Sequence, residues 1–250
     1  MQQLSGKVAL VTGAGSGIGR ANALVMAARG AALIVNDRDA DSALQTVALI
    51  EQAGGRAVSC IADVALCADI LQAIAQAERE LGAVDILVNN AGIASGRLPF
   101  EAIDEAAIDR MFAVTVKGAM FCTRAVLPGM KARRSGKIIN TSSITALGSH
   151  KFGCNYAAAK AAVIGLTKAW AREFAEWNIQ VNAVAPGRVR TPMVAFMDRT
   201  EAYIEEMKRR VPMGRQAVPE EIAGVVAFLA SSDADYMTGQ VISPNGGEVM

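Results

Sequence analysis

Histidine, paired cysteines and net charge are all scarce in this sequence, and each scarcity excludes a class of function. Cys60, Cys67, Cys122 and Cys154 form no C-x-x-C pair and His150 is the only histidine, so no metal site is expected. Cysteines scattered in this way read as reduced structural thiols of a cytoplasmic protein. Lys and Arg total 25 against 24 Asp and Glu, a formal net charge of +1. Such a chain has no global attraction for nucleic acid or an anionic membrane, and neither partner is expected. A charged ligand must therefore be met by a local site. No stretch of ~18 apolar residues is free of charge or of Gly and Pro, which argues against a membrane span. Met1 to Gly6 is short and polar, and the apolar run Val8 to Val11 ends at once in glycine, so no targeting peptide is expected.

Aliphatic residues are plentiful. Of 250 residues, 52% are hydrophobic, 5% aromatic and 20% charged, enough for a sizeable core and too many for a disordered chain. The length suits one domain over residues 1–250. Apolar runs alternate with helical patterns: strands at Lys7–Thr12, Ala32–Asn36, Ala57–Ile61 and Asp85–Asn89, helices at Ile18–Arg29, Asp39–Gln52 and Cys67–Leu81. Continuous apolar strands separated by helices of ~10–15 residues imply a parallel sheet covered on both faces, an α/β doubly wound fold. The second half continues with a helix over Glu105–Lys131 broken near Pro128-Gly129, strands at Lys137–Asn140 and Gln180–Ala185, and a helix over Asn155–Glu176. Pro219 opens a last helix to Ala230, and Gln240–Ser243 closes the sheet. Between the Gln180–Ala185 strand and the Pro219 helix, 188–213 reads as irregular, the kind of long segment that forms a lid or binding loop, here bounded at about 188–215.

Between the first strand and helix stands Thr12-Gly13-Ala14-Gly15-Ser16-Gly17-Ile18-Gly19. Glycines at 13, 17 and 19 suit a tight turn that lets a ligand approach the backbone, and the helix N-terminus beyond them suits a pyrophosphate. Asp37 closes the second strand, 24 positions after Gly13, where a carboxylate accepts from both ribose hydroxyls of NAD and repels a 2′-phosphate. The adjacent Arg38 is the one feature that favours NADP, so NAD is the first choice and NADP the second. Tyr156 and Lys160 are four apart in a helical stretch and share a face. An ammonium beside a tyrosine favours its phenolate, which makes the pair a candidate general acid/base. Asn89-Asn90-Ala91-Gly92, Ser142-Ser143 and Pro186-Gly187 also fall at carboxyl ends of strands, where ligands of doubly wound sheets collect.

Taken together, TGAGSGIG, Asp63-Val64, NNAG, Ser143, YAAAK and PGRVRTP, in that order and spacing, resemble the short-chain dehydrogenase/reductase family over essentially the whole chain. The resemblance implies a single-domain Rossmann fold with a central parallel sheet of about seven strands, and hydride transfer between a secondary alcohol and a nicotinamide ring. It implies Tyr156 as acid/base, Ser143 as its hydroxyl partner, and Lys160 as the group that binds the nicotinamide ribose and lowers the tyrosine pKa. It further implies that the cofactor is held by Gly13, Ser16, Gly17, Ile18 and Gly19, by Asp37 and Arg38, and by Asp63 and Val64 at the adenine. Asn90, Ala91 and Gly92, with Pro186, Gly187, Val189 and Thr191, would line the rest. Thr115 departs from the family's V-N-x-x-G segment, where asparagine kinks the helix and helps hold a relay water. A threonine hydroxyl can bind a water or its own helix backbone, so a tolerated variation is expected.

Expected substrate contacts are Ser143, Thr145, His150, Phe152, Asn155 and Tyr156, with Arg188, Met193, Phe196 and Met197 from the lid. Arg188 can meet a carboxylate or pair with the loop's own acids. The Met and Phe residues suggest a partly apolar pocket. A second reading is a 3-oxoacyl thioester reductase using NADPH, for which Lys131, Arg133, Arg134 and Lys137 offer a basic cluster to an acyl carrier. A third, resting on Thr115 alone, is a cofactor-binding protein without turnover. Apolar residues on several faces of the two long helices suggest a homotetramer or homodimer.

Overall fold

The computed structural model describes residues 3–94, 98–148, 153–194 and 201–250. Seven strands form one parallel sheet in the order β3-β2-β1-β4-β5-β6-β7. They are β1 (Val8–Thr12), β2 (Ala32–Asp37), β3 (Ala57–Ile61), β4 (Ile86–Asn89), β5 (Gly136–Thr141), β6 (Ile179–Val184) and β7 (Val241–Ile242). Helices α1 (Gly17–Ala28), α2 (Ala40–Gln52) and α3 (Cys67–Leu81) alternate with the first four strands. After them come α4 (Glu105–Phe112), α5 (Gly118–Arg133), α6 (Cys154–Phe174), α7 (Glu201–Arg210) and α8 (Pro219–Ala230). The expected doubly wound α/β architecture is what the chain forms.

Burial on both faces explains why the strands read as unbroken apolar runs. Ala9 and Val11 of β1 join Leu33 and Val35 of β2 in one core with α1, α2 and α8. Val8 and Leu10 point the other way, with Ile34 and Leu87, into a second core closed by α3, α5 and the end of α6. Leu10 sits level with Ile34 of β2 and Leu87 of β4, so this row crosses three strands. The chain leaves β1 toward β2 on one side and returns to pair β4 on the other. That reversal opens a crevice at the carboxyl ends of β1 and β4.

Helix entries follow local chemistry. Asp39 caps α2 by accepting from Ser42 N at 2.8 Å, and Asp104 caps α4 through Ala107 N at 2.8 Å. Pro219 opens α8 as expected, with Glu221 accepting from Val218 N at 2.9 Å.

Two boundaries differ from expectation. The helix does not break at Pro128; α5 continues to Arg133 with that proline inside it. Pro128 is exposed, so water can satisfy the carbonyl its missing N–H leaves open. The departure lies earlier, in a π-helical turn over Ala113–Lys117. In addition, 188–213 is not irregular throughout, because α7 forms there. Glu205–Lys208 and Glu206–Arg210 pairs stabilise it in place of an apolar stripe. Together α4, the π turn and α5 make a 29-residue helical run, Glu105–Arg133, long and apolar enough by composition to cross a bilayer. Its inner face instead packs on α3, β4 and β5, as a core helix does.

Candidate active site

At the carboxyl edge of the sheet a cleft of about 340 Å³ runs from the end of β3 to the loop after β6. Its centre is the β1–α1 turn. Gly17 adopts φ +53, a left-handed conformation suited to glycine, and a Cβ on Gly19 would lie 2.0 Å from the Gly13 carbonyl oxygen. The turn is held from behind: Thr12 Oγ1 accepts from Asn90 N and Ala91 N, each at 3.0 Å, and Asn90 Nδ2 donates to Thr12 O at 2.9 Å. Asn90 thus lines the cleft while spending its amide on the neighbouring turn. Ser16 stands at the N-cap of α1 with no side-chain capping bond, and no acidic residue occupies the first turn. The free N–H groups and the positive dipole end there suit a phosphate.

Asp37, at the end of β2, is fixed from two sides. Oδ2 accepts from Gly15 N at 2.9 Å and Oδ1 from Asp39 N at 3.1 Å. Arg38 beside it is exposed. Farther along, past β3, Asp63 and Val64 line the cleft with Arg110 and Val114 of the α4–α5 run. Burial works to raise the Asp63 carboxyl, but the Ala65 N–H and the Arg110 guanidinium together hold it below the ordinary carboxylate value.

The opposite end is built from β5 and α6. Ser143 follows β5, accepts from Thr145 N at 3.2 Å and lines the cleft with Tyr156, whose phenolate its hydroxyl favours. Lys160, 4% exposed, donates from Nζ to Thr141 O at 2.7 Å, and the same Nζ lies 5.8 Å from the Tyr156 ring centre. Ser142 Oγ donates to Lys160 O at 2.9 Å, a structural role. Burial pushes the Tyr156 hydroxyl up, an effect the Ser143 hydrogen bond only partly offsets, and pulls Lys160 from 10.5 down to about 8. This corrects the expectation of a tyrosine lowered by its lysine. Desolvation dominates both groups, and the ammonium is turned toward the Thr141 carbonyl.

Most of the expected residues share this one cleft: Gly13, Ser16, Gly17, Ile18, Gly19, Asp37, Arg38, Asp63, Val64, Asn90, Ala91, Gly92, Ser143, Tyr156, Lys160, Pro186, Gly187, Val189, Thr191 and Met193. Others are not brought to it. Thr115 is buried in the π turn with Oγ1 donating to Met111 Sδ at 3.7 Å, so the helix is distorted there without an asparagine. Asn155 is buried beside the site and accepts from Tyr156 N at 2.9 Å. Thr145 supports Ser143 through its backbone and does not line the cleft. Arg188 pairs with Glu248 at 3.2 Å, the two side chains 10% and 4% exposed, so its charge is already answered. His150, Phe152, Phe196 and Met197 lie outside the described residues. Among the described residues no group of three His, Cys, Asp or Glu is placed to hold a metal.

Arg110 and Thr141 are among the lining residues that carry no signal in the sequence. Arg110 reaches the cleft from α4, 47 residues from its partner Asp63. Thr141 lines the cleft with a buried hydroxyl that has no hydrogen-bond partner among the described residues. An orphaned hydroxyl, a glycine cradle with no room for a Cβ and an uncapped helix N-terminus fit a dinucleotide lying across the strand ends.

The family model described as "Enoyl-(Acyl carrier protein) reductase" matches residues 13–248. The chain is similar to the 3-oxoacyl-(acyl-carrier-protein) reductase FabG of Thermotoga maritima, 40% identical over 248 residues, 99% of this chain and 100% of that one. Among solved structures it resembles a gluconate 5-dehydrogenase of Burkholderia cenocepacia in complex with NADP and tartrate. That match has a TM-score of 0.94 and 36% identity, and covers 99% of this chain and 96% of the other. It also resembles a 7α-hydroxysteroid dehydrogenase complexed with NADH and 7-oxo glycochenodeoxycholic acid. Here the TM-score is 0.94 and the identity 34%, over 98% of this chain and 95% of the other.

Proposed function

Because the chain belongs to the short-chain dehydrogenase/reductase family of oxidoreductases, we propose that it interconverts a secondary alcohol and a ketone with NAD as its dinucleotide. The observation that carries this reading is the opening of Ser143, Tyr156 and Lys160 into the same cleft as the glycine turn and Asp37. Gly13, Ser16, Gly17, Ile18 and Gly19 would hold the pyrophosphate, and Asp37 the adenosine ribose. Asp63 and Val64 would meet the adenine, with Asn90, Ala91, Gly92, Pro186, Gly187, Val189 and Thr191 around the nicotinamide half.

When bound, the nicotinamide ring supplies or accepts the hydride. Tyr156 moves the proton: its hydroxyl protonates the ketone oxygen in reduction and its phenolate removes the alcohol proton in oxidation. Ser143, which lines the cleft with Tyr156, would orient that oxygen beside the phenol. Lys160, braced on Thr141 O, would hold the nicotinamide ribose beside the tyrosine. The Glu248 pairing of Arg188 favours a substrate without a carboxylate at that position. Residues 188–215 would cover the substrate end as a lid.

Asp37 favours NAD because its fixed carboxylate would face the extra phosphate of NADP as a like charge. Among similar structures both dinucleotides occur. The test is kcat/KM for NAD⁺ and NADP⁺ in wild type and Asp37→Ser. Wild type is expected to prefer NAD⁺, and the variant to lose about a hundredfold of that preference. A wild type that prefers NADP⁺ overturns the assignment.

The FabG likeness favours one second reading, NADPH-dependent reduction of a 3-oxoacyl thioester. The basic cluster once suited to an acyl carrier gives it no support. Lys137 pairs with Asp235 at 2.6 Å, Arg133 donates to Val84 O at 2.7 Å, and Lys131 lies 3.7 Å from the Trp177 ring centre. These contacts sit at the amino ends of β4 and β5, on the far edge from the cleft. The reading without turnover rests on Thr115 alone, whose hydroxyl donates to Met111 Sδ within the π turn. Four free cysteines suit a reducing, cytoplasmic setting, and exposed Phe100, Ile108 and Met120 suit a homotetramer or homodimer.

A further inference from the structure

At the outer end of the cleft, Asp63 is held by two donors from different parts of the chain. Oδ1 accepts from Ala65 N at 2.9 Å, and Oδ2 accepts from Arg110 Nη2 at 2.7 Å. An ionised carboxylate has about four acceptor positions, so each oxygen keeps one for a further donor. Ala62, Val64 and Val114 supply apolar walls around it. Helix α5 presses directly on Val64, where a Cβ on Gly118 would lie 2.8 Å from Val64 Cγ2, so that wall is set rigidly. Apolar walls with one carboxylate edge suit a flat heteroaromatic base bearing an exocyclic amino group. Position agrees with chemistry, because β3 is the outermost strand and Asp37 of β2 stands between this slot and the glycine turn.

We propose that Arg110 is a positioning residue that orients the Asp63 carboxylate to accept from the adenine amino group, and so sets selectivity for adenine over a 6-oxo base. This rests on the dinucleotide reading above. Arg110 is 38% exposed and Asp63 21%, so the fold has little need of the pair for its stability. The guanidinium spends its Nη2 on the carboxylate and so fixes where Oδ2 points. Without it, Asp63 keeps the Ala65 anchor on one oxygen and is released to rotate about it.

The test is calorimetric titration of the full chain with NADH and with its reduced hypoxanthine analogue, in which a carbonyl oxygen replaces the amino group. Wild type is expected to bind NADH about tenfold more tightly than the analogue. Arg110→Ala should weaken NADH about fivefold and the analogue by less than about twofold, so that selectivity largely collapses. Asp63→Asn should do the same, and the double variant should be no worse than either single change. Equal weakening of both ligands, or none, in Arg110→Ala overturns the positioning role while leaving the dinucleotide reading intact. A wild type that saturates with neither NADH nor NADPH overturns both.

Discussion

The two edges of the same sheet use similar side chains to opposite ends. At the amino edge every member of the basic cluster has a local partner: Asp235 for Lys137, Val84 O for Arg133, the Trp177 ring for Lys131 and Glu176 O for Arg134. At the carboxyl edge Lys160 is buried with one carbonyl to answer its charge, Tyr156 is pushed up by burial, and the Thr141 hydroxyl has no partner among the described residues. The amino edge is chemically complete, whereas the carboxyl edge leaves polar groups whose remaining valences suit a ligand. Charge alone therefore marks nothing; buried polarity left open in a cleft is the informative sign.

The largest expected effect breaks the carboxyl edge at its proton donor. Tyr156→Phe should lower kcat by about a thousandfold while leaving the NADH dissociation constant within about twofold, read by steady-state kinetics and titration. A comparable loss of NADH affinity would mean the hydroxyl serves binding instead.

Next comes the pH dependence that separates Lys160 from the lysines of the amino edge. Its folded value of about 8 lies below the ordinary 10.5. Between those values the unfolded chain therefore holds a proton that the folded chain has released. Stability from this site rises with pH across that window, and below pH 8 the buried ammonium costs roughly 3 kcal/mol. Tyr156, raised above 10, opposes the trend only at higher pH. Wild type should gain about 2 kcal/mol relative to Lys160→Met between pH 8 and 10 in urea unfolding. A flat difference would show that the lysine is not desolvated.

Smaller effects sharpen the contrast. Thr115→Asn should keep or raise turnover, within about threefold, because the π turn already forms with threonine and the residue stands outside the cleft. A large loss in the same assay would give Thr115 a role of its own. Lys137→Ala should change stability by no more than about 1 kcal/mol and leave kinetics untouched.

The legible parts of the sequence are those whose logic is local. Two-sided burial wrote β1, β2 and β4 as apolar runs, and the 3.6-residue period places Tyr156 and Lys160 on one helical face. Asp37 and the glycine turn are recognisable because each directly adjoins a strand end. Arg110 and Arg188 were harder for one reason: their meaning comes from Asp63 and Glu248, 47 and 60 residues away, and no spacing announces such a pair. Helix α7 leaves little to read in the sequence because charge pairs, not an apolar stripe, support it. Pro128 does not break its helix because on an exposed face the missing hydrogen bond is cheap.

NAD-dependent oxidation of a secondary alcohol is the activity proposed for the cleft. It is tested most directly by 340 nm absorbance of the purified chain with aliphatic, cyclic, aromatic and sugar alcohols, supplied separately with NAD⁺ and NADP⁺. Absorbance is expected to grow with NAD⁺ for at least one secondary alcohol, and the growth to be abolished in Tyr156→Phe. Growth with NADP⁺ alone, or growth undiminished in that variant, would contradict it.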